Sequence, residues 1–196
     1  MLYRPLGATG MNVSVLGFGG AEIGYQGADQ DTVTRLLNEA LDAGLNVIDT
    51  AECYRNSEEL IGHAVSHRRG DFFLFTKVGH ASGIDLPDWD PALIERSIDR
   101  SLQRLRTDRV DLVQLHSCDE GTLRRGAVVE ALQRAKAAGK TRFIGYSGDS
   151  VAAEWAVRSG HFDTLQTSVS LADQEALELT LPTCVKKNIG VIAKRP

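Results

Sequence analysis

Three side chains that could take part in chemistry follow one short apolar run of the sequence. The run LNVI ends at Asp49, and Asp49, Cys53 and Tyr54 all fall within six residues. A carboxylate can hold a cation, a thiol can act as a nucleophile or metal ligand, and a phenol can donate a proton to an oxygen atom. A phenol with an unperturbed pKa of about 10 is a poor acid at neutral pH unless a nearby cation stabilises its ionised form. The sequence must therefore supply a cation if Tyr54 is to donate a proton.

Polar residues recur at corresponding positions, at or near the C-terminal ends of apolar runs. They are Asp49, Lys77, His116, Ser147, Gln166 and Lys194. In a parallel barrel these ends share one rim, which is where such enzymes build their active sites. Lys77 is the candidate cation for Tyr54, Asp49 could hold that lysine by an ion pair, and His116 could hydrogen-bond a substrate oxygen. This set suits the addition or removal of a proton at a carbonyl or alcohol oxygen.

Short β-branched runs alternate along the chain with stretches of helical periodicity, a pattern typical of βα units and a parallel sheet. The predicted strands are residues 13–18, 45–49, 72–77, 110–116, 141–147, 163–167 and 189–194. Asp29 or Asp31 is predicted to cap the first helix, and Asp90 followed by Pro91 begins the third. The apolar stripe predicted for the first helix is Val33, Leu36, Leu37, Ala40 and Leu41.

Seven parallel strands could form an open doubly wound sheet or most of a (β/α)8 barrel, and their spacing does not decide between the two. The open dinucleotide-binding fold would place G-x-G-x-x-G after the first strand. The segment GFGGAEIG stands there instead, and its glycines do not match that spacing. A glycine-rich tight turn is the better interpretation of this segment.

The composition and net charge of the chain favour a globular domain that binds a small molecule. The 196-residue chain is 42% hydrophobic and 24% charged, as expected of one globular domain with its own core. A net charge of −4 with scattered basic residues gives no electrostatic footprint for nucleic acid, so a small-molecule partner is expected. No apolar run approaches the roughly 18 residues of a membrane span, and the N-terminus lacks the pattern of a secretion signal. Three widely spaced cysteines fit reduced thiols in a cytoplasmic protein.

The segment DTAECYRNSEELIG, together with FTKVG and LVQLH, resembles the aldo-keto reductases. The resemblance extends from RPLGATGMNVSVLGFGG through GYSGDS to GVIAKRP, which is essentially the whole chain. It implies a (β/α)8 TIM barrel and a nicotinamide cofactor. It also implies that Tyr54 is the general acid in reduction, that Lys77 lowers the pKa of Tyr54, that Asp49 pairs with Lys77, and that His116 orients the carbonyl group.

The same resemblance implies a cofactor-binding set and shows where this chain departs from the usual pattern. Ser147 and Gln166 match the positions that hold the nicotinamide carboxamide, and the family uses no metal. Gly148-Asp149 follows Ser147 where an asparagine is usual, and Thr167-Ser168 replaces the usual aromatic residue and asparagine. Lys194 and Arg195, in a segment where many members place an aromatic ring, complete the expected set. NADP(H) is the expected cofactor, with NAD(H) as the alternative.

Three other interpretations compete with carbonyl reduction. Cys53, His116 and Cys118 could converge on a zinc ion, although none of them belongs to a C-x-x-C pair. Lys77 or Lys194 could form a Schiff base in a lyase, but a paired carboxylate at Asp49 would keep the Lys77 amine charged. A regulatory subunit that senses redox state through a bound dinucleotide is the non-enzyme alternative, and it should show almost no turnover.

The end of the sequence gives a further expectation. The chain stops at Pro196, directly after the seventh predicted strand, whereas a barrel closes on an eighth strand and typically has roughly 250 residues. Residues 1–196 are therefore expected to be a single barrel domain that is truncated at its C-terminus, with seven of eight strands present. The substrate, the choice between NADP and NAD, and the oligomeric state do not follow from the sequence, because rim loops and the C-terminal segment determine the first two.

Overall fold

The structure, a computed structural model, describes residues 1–195 and contains two sheets. An N-terminal antiparallel hairpin pairs β1 (Tyr3–Pro5) with β2 (Asn12–Ser14). The second sheet has seven parallel strands in chain order: β3 (Phe18–Gly19), β4 (Val47–Asp49), β5 (Phe73–Val78), β6 (Val110–His116), β7 (Thr141–Ser147), β8 (Thr164–Ser168) and β9 (Gly190–Lys194). This order is that of successive βα units.

Helices connect the parallel strands. They are α1 (Ala21–Tyr25), α2 (Gln30–Asp42), α3 (Ser57–Val65), α4 (Pro91–Leu105), α5 (Glu120–Arg125), α6 (Ala127–Ala137), α7 (Ser150–Ser159), α8 (Glu175–Leu179) and α9 (Leu181–Lys187), with short 3-10 helices at Gly7–Thr9 and Ser66–Asp71. None of the described helices combines the length and the apolar character needed to cross a lipid bilayer.

Short polar residues begin two of the long helices, as predicted. The Asp29 carboxylate accepts a hydrogen bond from a backbone N–H in the first turn of α2 at 2.9 Å, so Asp29 rather than Asp31 is the N-cap. Asp90 does the same for α4 at 2.7 Å, and Pro91 occupies the first turn of that helix. The predicted stripe of α2 is wrong at Leu36, which is 44% exposed.

Apolar side chains from distant strands of the parallel sheet meet in one cluster, which shows that the sheet is curled. The buried members are Leu6, Met11, Val47, Phe75 and Leu112, and Val13, Phe73, Phe143 and Ile192 pack against them. Val47 lies on β4, next to one edge strand, whereas Ile192 lies on β9 at the other edge. The predicted barrel architecture is confirmed as a partial (β/α)8 barrel, with seven of the eight strands within the described residues. A second, larger core lies between the strands and the helices.

The first predicted strand, residues 13–18, is wrong in its extent. Val13 and Ser14 belong to the hairpin, and the barrel strand β3 has only two residues. The Ser14 hydroxyl donates to the Leu16 carbonyl at 2.6 Å, and Leu16 is 64% exposed in the turn between the two strands. The local side-chain bond bends the chain out of one sheet and into the other, which an apolar run cannot reveal.

A buried group of charges packs between α3, α4 and β5. The Glu58 side chain is 1% exposed, and one of its oxygens accepts a hydrogen bond from the Thr76 hydroxyl at 2.6 Å. Its other oxygen lies 3.8 Å from Arg104, which also contacts Glu52 at 3.2 Å and Glu59 at 3.4 Å. Burial raises the pKa of Glu58 from its ordinary value of 4.5 to about 7, and the negative charge of Glu52 adds to the shift. The buried carboxyl therefore titrates near neutral pH.

Because the folded state raises the pKa of Glu58, ionisation of this group opposes folding. Well below pH 4.5 Glu58 is protonated in both the folded and the unfolded state, so it does not destabilise the fold. As pH rises from about 4.5 to about 7 the unfolded state loses this proton first, and the free energy of unfolding falls. We expect Glu58→Gln, which keeps an acceptor for Thr76, to raise the free energy of unfolding at pH 8 by on the order of 2 kcal/mol, with much less effect at pH 5. Urea denaturation at both pH values measures this. Glu59→Gln on the exposed side of α3 is the matched control, and an equal gain at both pH values would contradict the assignment.

Candidate active site

The two-residue alternation of strands directs the polar residues of the parallel sheet to the barrel interior at one end. In the register of the sheet Lys77 lies opposite Gln114, His116 opposite Ser147, and Ser147 opposite Gln166. The predicted residues His116, Ser147 and Gln166 on β6 to β8 are therefore lateral neighbours at the C-terminal ends of the strands, and Lys77 on β5 is in register two residues before His116. Apolar residues fill the interior below them, toward the hairpin.

Lys77 and Asp49 form the ion pair that the sequence predicted. The Lys77 ammonium nitrogen Nζ donates to Asp49 Oδ2 at 2.6 Å and to the Thr50 carbonyl at 2.8 Å. The Lys77 side chain is 3% exposed, and that of Asp49 is 14% exposed. Gln166 Nε2 donates to the same carboxylate oxygen at 2.9 Å. The ammonium group is thus held at a defined position by two acceptors.

Tyr54 lies beside this pair and beside His116. Its hydroxyl oxygen is 3.5 Å from His116 Nε2, and Lys77 Nζ is 5.4 Å from the centre of its ring. The turn that carries Tyr54 is anchored to the sheet, since the Glu52 N–H donates to the Lys77 carbonyl at 3.0 Å. Within the turn, the Tyr54 N–H donates to the Ala51 carbonyl at 3.0 Å. The structure therefore brings together the four predicted catalytic positions, Asp49, Tyr54, Lys77 and His116.

The electrostatic environment moves the pKa values of Tyr54 and His116 in opposite directions. Burial, followed by repulsion from the Asp49 carboxylate, holds the pKa of the Tyr54 hydroxyl well above its ordinary value of 10.0. Burial also lowers the pKa of His116 from 6.5 to about 3, with a further contribution from the positive charge of Lys77. His116 is therefore a neutral imidazole at pH 7. Asp49 raises the pKa of the phenol and Arg195 lowers it, and a lowering of the Tyr54 pKa by Lys77 stays a prediction.

The predicted cofactor-binding residues lie on adjacent strands of the same rim. Ser147 is 2% exposed at the end of β7, and Gln166 is 5% exposed on β8. Gln114 Nε2 lies 3.4 Å from Gln166 Oε1, which joins the two amides to the Asp49 carboxylate. Lys194 and Arg195, at the end of β9, both approach Asp149 rather than this amide pair, at 2.9 Å and 3.8 Å respectively.

The positions that depart from the usual family pattern contact one another. Asp149 Oδ1 accepts hydrogen bonds from the Thr167 hydroxyl at 2.9 Å and from the Ser168 N–H at 2.8 Å, while Oδ2 pairs with Lys194. These contacts lower the pKa of Asp149 to about 2 even though burial alone would raise it. One carboxylate thus ties together the ends of β7, β8 and β9. The residues that depart from the usual family pattern therefore form one cluster around the Asp149 carboxylate.

Sequence reasoning missed three residues near the site: His80, Trp89 and Gln114. The His80 ring centre is 5.5 Å from that of His116 and 5.1 Å from that of Trp89, so the loop after β5 reaches the rim. Trp89 packs so closely on Gly79 that a Cβ there would collide with the indole ring. Gln114 could have been found, because it stands two residues before His116 on one strand. The loop conformation, with φ of +65° at Trp89, has no comparable signal in the sequence.

Residues needed by the competing zinc and lyase interpretations are buried in the core or already paired in the structure. Cys118 is 1% exposed in the core between the strands and the helices. Within residues 1–195 there is no group of three or more His, Cys, Asp and Glu side chains that could hold a metal ion. Lys77 donates to two acceptors and Lys194 is paired with Asp149. The three cysteines of the described chain are unpaired.

Comparison with known proteins agrees with this geometry. A sequence model of the Aldo/keto reductase family matches residues 15–196. The chain is 32% identical to the uncharacterized oxidoreductase YqkF of Bacillus subtilis strain 168 and 32% identical to L-galactose dehydrogenase of Arabidopsis thaliana. These alignments cover 100% and 98% of this chain but only 65% and 64% of the relatives, so the chain spans just under two thirds of their length.

A solved structure gives the same result. An aldo-keto reductase from Bacillus halodurans, in its holo form, superposes with a TM-score of 0.87 at 30% sequence identity. The match covers 98% of this chain and 65% of that one. By sequence, by fold and by the grouping of Asp49, Tyr54, Lys77 and His116 at one rim, the chain belongs to the aldo/keto reductase family.

Proposed function

We propose that the full-length protein reduces an aldehyde or ketone to an alcohol with a hydride from NADPH, with NADH as the alternative donor. The observation that carries this proposal is the placement of the Tyr54 hydroxyl 3.5 Å from the neutral His116 ring and beside the Lys77–Asp49 ion pair. Two hydrogen-bonding groups then face one point at the rim. A carbonyl oxygen at that point would gain a proton as the carbon gains hydride.

Each side chain has a distinct part in the proposed reduction. Tyr54 donates the proton to the carbonyl oxygen, and its position is maintained by the anchored turn. The Lys77 ammonium stabilises the phenolate that remains after transfer, because an opposite charge favours the ionised form. Asp49 orients Lys77 through the 2.6 Å contact. His116 is neutral, so it orients the carbonyl by a hydrogen bond and does not compete with Tyr54 as the acid.

The residues at the rim fit a nicotinamide dinucleotide. Ser147 and Gln166 offer a hydroxyl and an amide on neighbouring strands, which suits a carboxamide with both donors and an acceptor. Lys194 and Arg195 share the single carboxylate of Asp149, so this part of the rim keeps a net positive charge for a diphosphate. A reduced nicotinamide would supply the hydride. The same residues would serve alcohol oxidation in the reverse direction, with Tyr54 accepting the proton.

If Lys194 contacts the dinucleotide phosphates, its removal should weaken cofactor binding. We expect Lys194→Ala to raise the Kd for NADPH roughly tenfold, the effect of losing one hydrogen bond to a charged group. Quenching of tryptophan fluorescence during NADPH titration measures the Kd. Lys186→Ala, an equal change of charge on exposed α9, is the matched control and should leave the Kd unchanged. Equal values for Lys194→Ala and the native protein would remove Lys194 from the site.

The proposed activity is tested by a turnover screen of the full-length protein with each reduced cofactor. The substrates should include simple aldehydes, ketones and aldoses, because one relative is named as an L-galactose dehydrogenase. We expect oxidation of NADPH that depends on a carbonyl substrate. Tight dinucleotide binding without turnover of any substrate would instead favour the redox-sensing alternative, and trapping of a carbonyl compound on Lys77 by borohydride would favour the lyase.

A further inference from the structure

The His116 ring has hydrogen-bonding neighbours on both of its nitrogens. Nε2 faces the Tyr54 hydroxyl at 3.5 Å, and Nδ1 faces the sulfur of Cys53 at 3.4 Å. Cys53 directly precedes Tyr54 in the anchored turn, so one turn supplies both contacts. These two are the hydrogen-bond partners of the ring among residues 1–195. The contact with Cys53 has no part in the proposed proton transfer and calls for its own explanation.

The protonation states of His116 and Cys53 limit which of the two groups can donate this hydrogen bond. His116 is neutral at pH 7, since burial and the charges of Lys77, His80 and Lys194 lower its pKa to about 3. A neutral imidazole has one N–H and one acceptor nitrogen. Burial, followed by the charge of Glu52, raises the pKa of the Cys53 thiol to about 11, so the thiol keeps its proton. A thiol with its proton is a weak donor and a weak acceptor, whereas an unprotonated imidazole nitrogen is a good acceptor.

We propose that Cys53 is a positioning residue that holds His116 in the tautomer with its proton on Nε2, by donating its S–H to Nδ1 at 3.4 Å. In this arrangement Nε2 presents an N–H toward the Tyr54 hydroxyl and toward the point where we place the carbonyl oxygen. The opposite tautomer would present a lone pair there and would repel that oxygen. The inference rests on the proposed function for its catalytic meaning, but the tautomer itself is a property of the protein alone.

Nitrogen NMR of the full-length protein labelled with 15N-histidine tests the tautomer directly. In two-bond proton–nitrogen spectra the protonated and unprotonated ring nitrogens differ widely in chemical shift, and His116→Gln identifies the His116 signals among those of the other histidines. We expect native His116 to show a single pattern with the proton on Nε2 at pH 7. Cys53→Ala should lose that pure pattern, and Cys53→Ser, which keeps a donor, should retain it.

The outcomes separate this inference from the proposed function. A native spectrum with the proton on Nδ1, or a pure Nε2–H pattern that persists in folded Cys53→Ala, would overturn the role of Cys53. The measurement needs no substrate, so a protein that fails to reduce carbonyl compounds still answers it. In an active protein Cys53→Ala should lower kcat/KM by up to about tenfold with an unchanged Kd for NADPH, as expected for one neutral hydrogen bond, and Cys53→Ser should recover most of it. Circular dichroism confirms that each variant is folded.

Discussion

Tyr54→Phe is expected to lower kcat by roughly two to four orders of magnitude, the range for loss of a general acid. The change removes only the hydroxyl. A phenyl ring can keep the contacts with His116 and Tyr25, whose ring centres are 5.5 Å and 5.6 Å from that of Tyr54. The Kd for NADPH and the thermal stability should therefore change little. Steady-state kinetics with NADPH and the best carbonyl substrate measure the effect.

Tyr25→Phe is the matched control for this experiment. Tyr25 is 48% exposed, and its ring packs against that of Tyr54 at an angle of 57°, so the same chemical change is made one ring further from the proposed reaction. We expect near-native kcat for this variant. A Tyr54→Phe protein with full rate, or equal losses in both variants, would remove Tyr54 from the mechanism.

The second large effect is expected for Lys77→Met, which should abolish most of the activity. Because Lys77 is 3% exposed, its removal also leaves the Asp49 carboxylate buried without its cation. Breaking such a pair from one side destabilises a protein by roughly 3 to 5 kcal/mol. Lys77→Met is therefore expected to lower stability as well as activity. Activity and stability must be measured together, by kinetics and by urea denaturation.

The double variant Lys77→Met with Asp49→Asn distinguishes a catalytic from a structural effect of the lysine. It removes both charges, so stability should recover while activity stays low. The residual rate of the single variant Lys77→Met gives a second criterion, because Asp49 is still present there. Without the ammonium group the pKa of Tyr54 should rise further, and the decline of activity at high pH should move to higher pH. Activity that returns with stability, or a pH profile identical to the native one, would show that Lys77 does not act on Tyr54.

The sequence by itself determined the fold class and the group of candidate residues. The order of apolar runs and helical stretches predicted parallel βα units, and strand ends at Asp49, Lys77 and His116 placed chemically matched residues on one rim. Such features depend on local periodicity and on the C-terminal direction of each strand, which the chain encodes within a few residues. The family resemblance then assigned roles to them. The role of Tyr54 as the acid stays a prediction.

Only the tertiary structure decided how those residues contact one another. Asp149 meets Lys194 across 45 positions of sequence (194 − 149), and Cys53 meets His116 across 63, because strand register and sheet curvature bring them together. The break of residues 13–18 into two sheets and the placement of Trp89 depend on a local side-chain bond and on a positive φ. These contacts are set by the position of one element relative to another in space, and periodicity within a single element carries no information about that position.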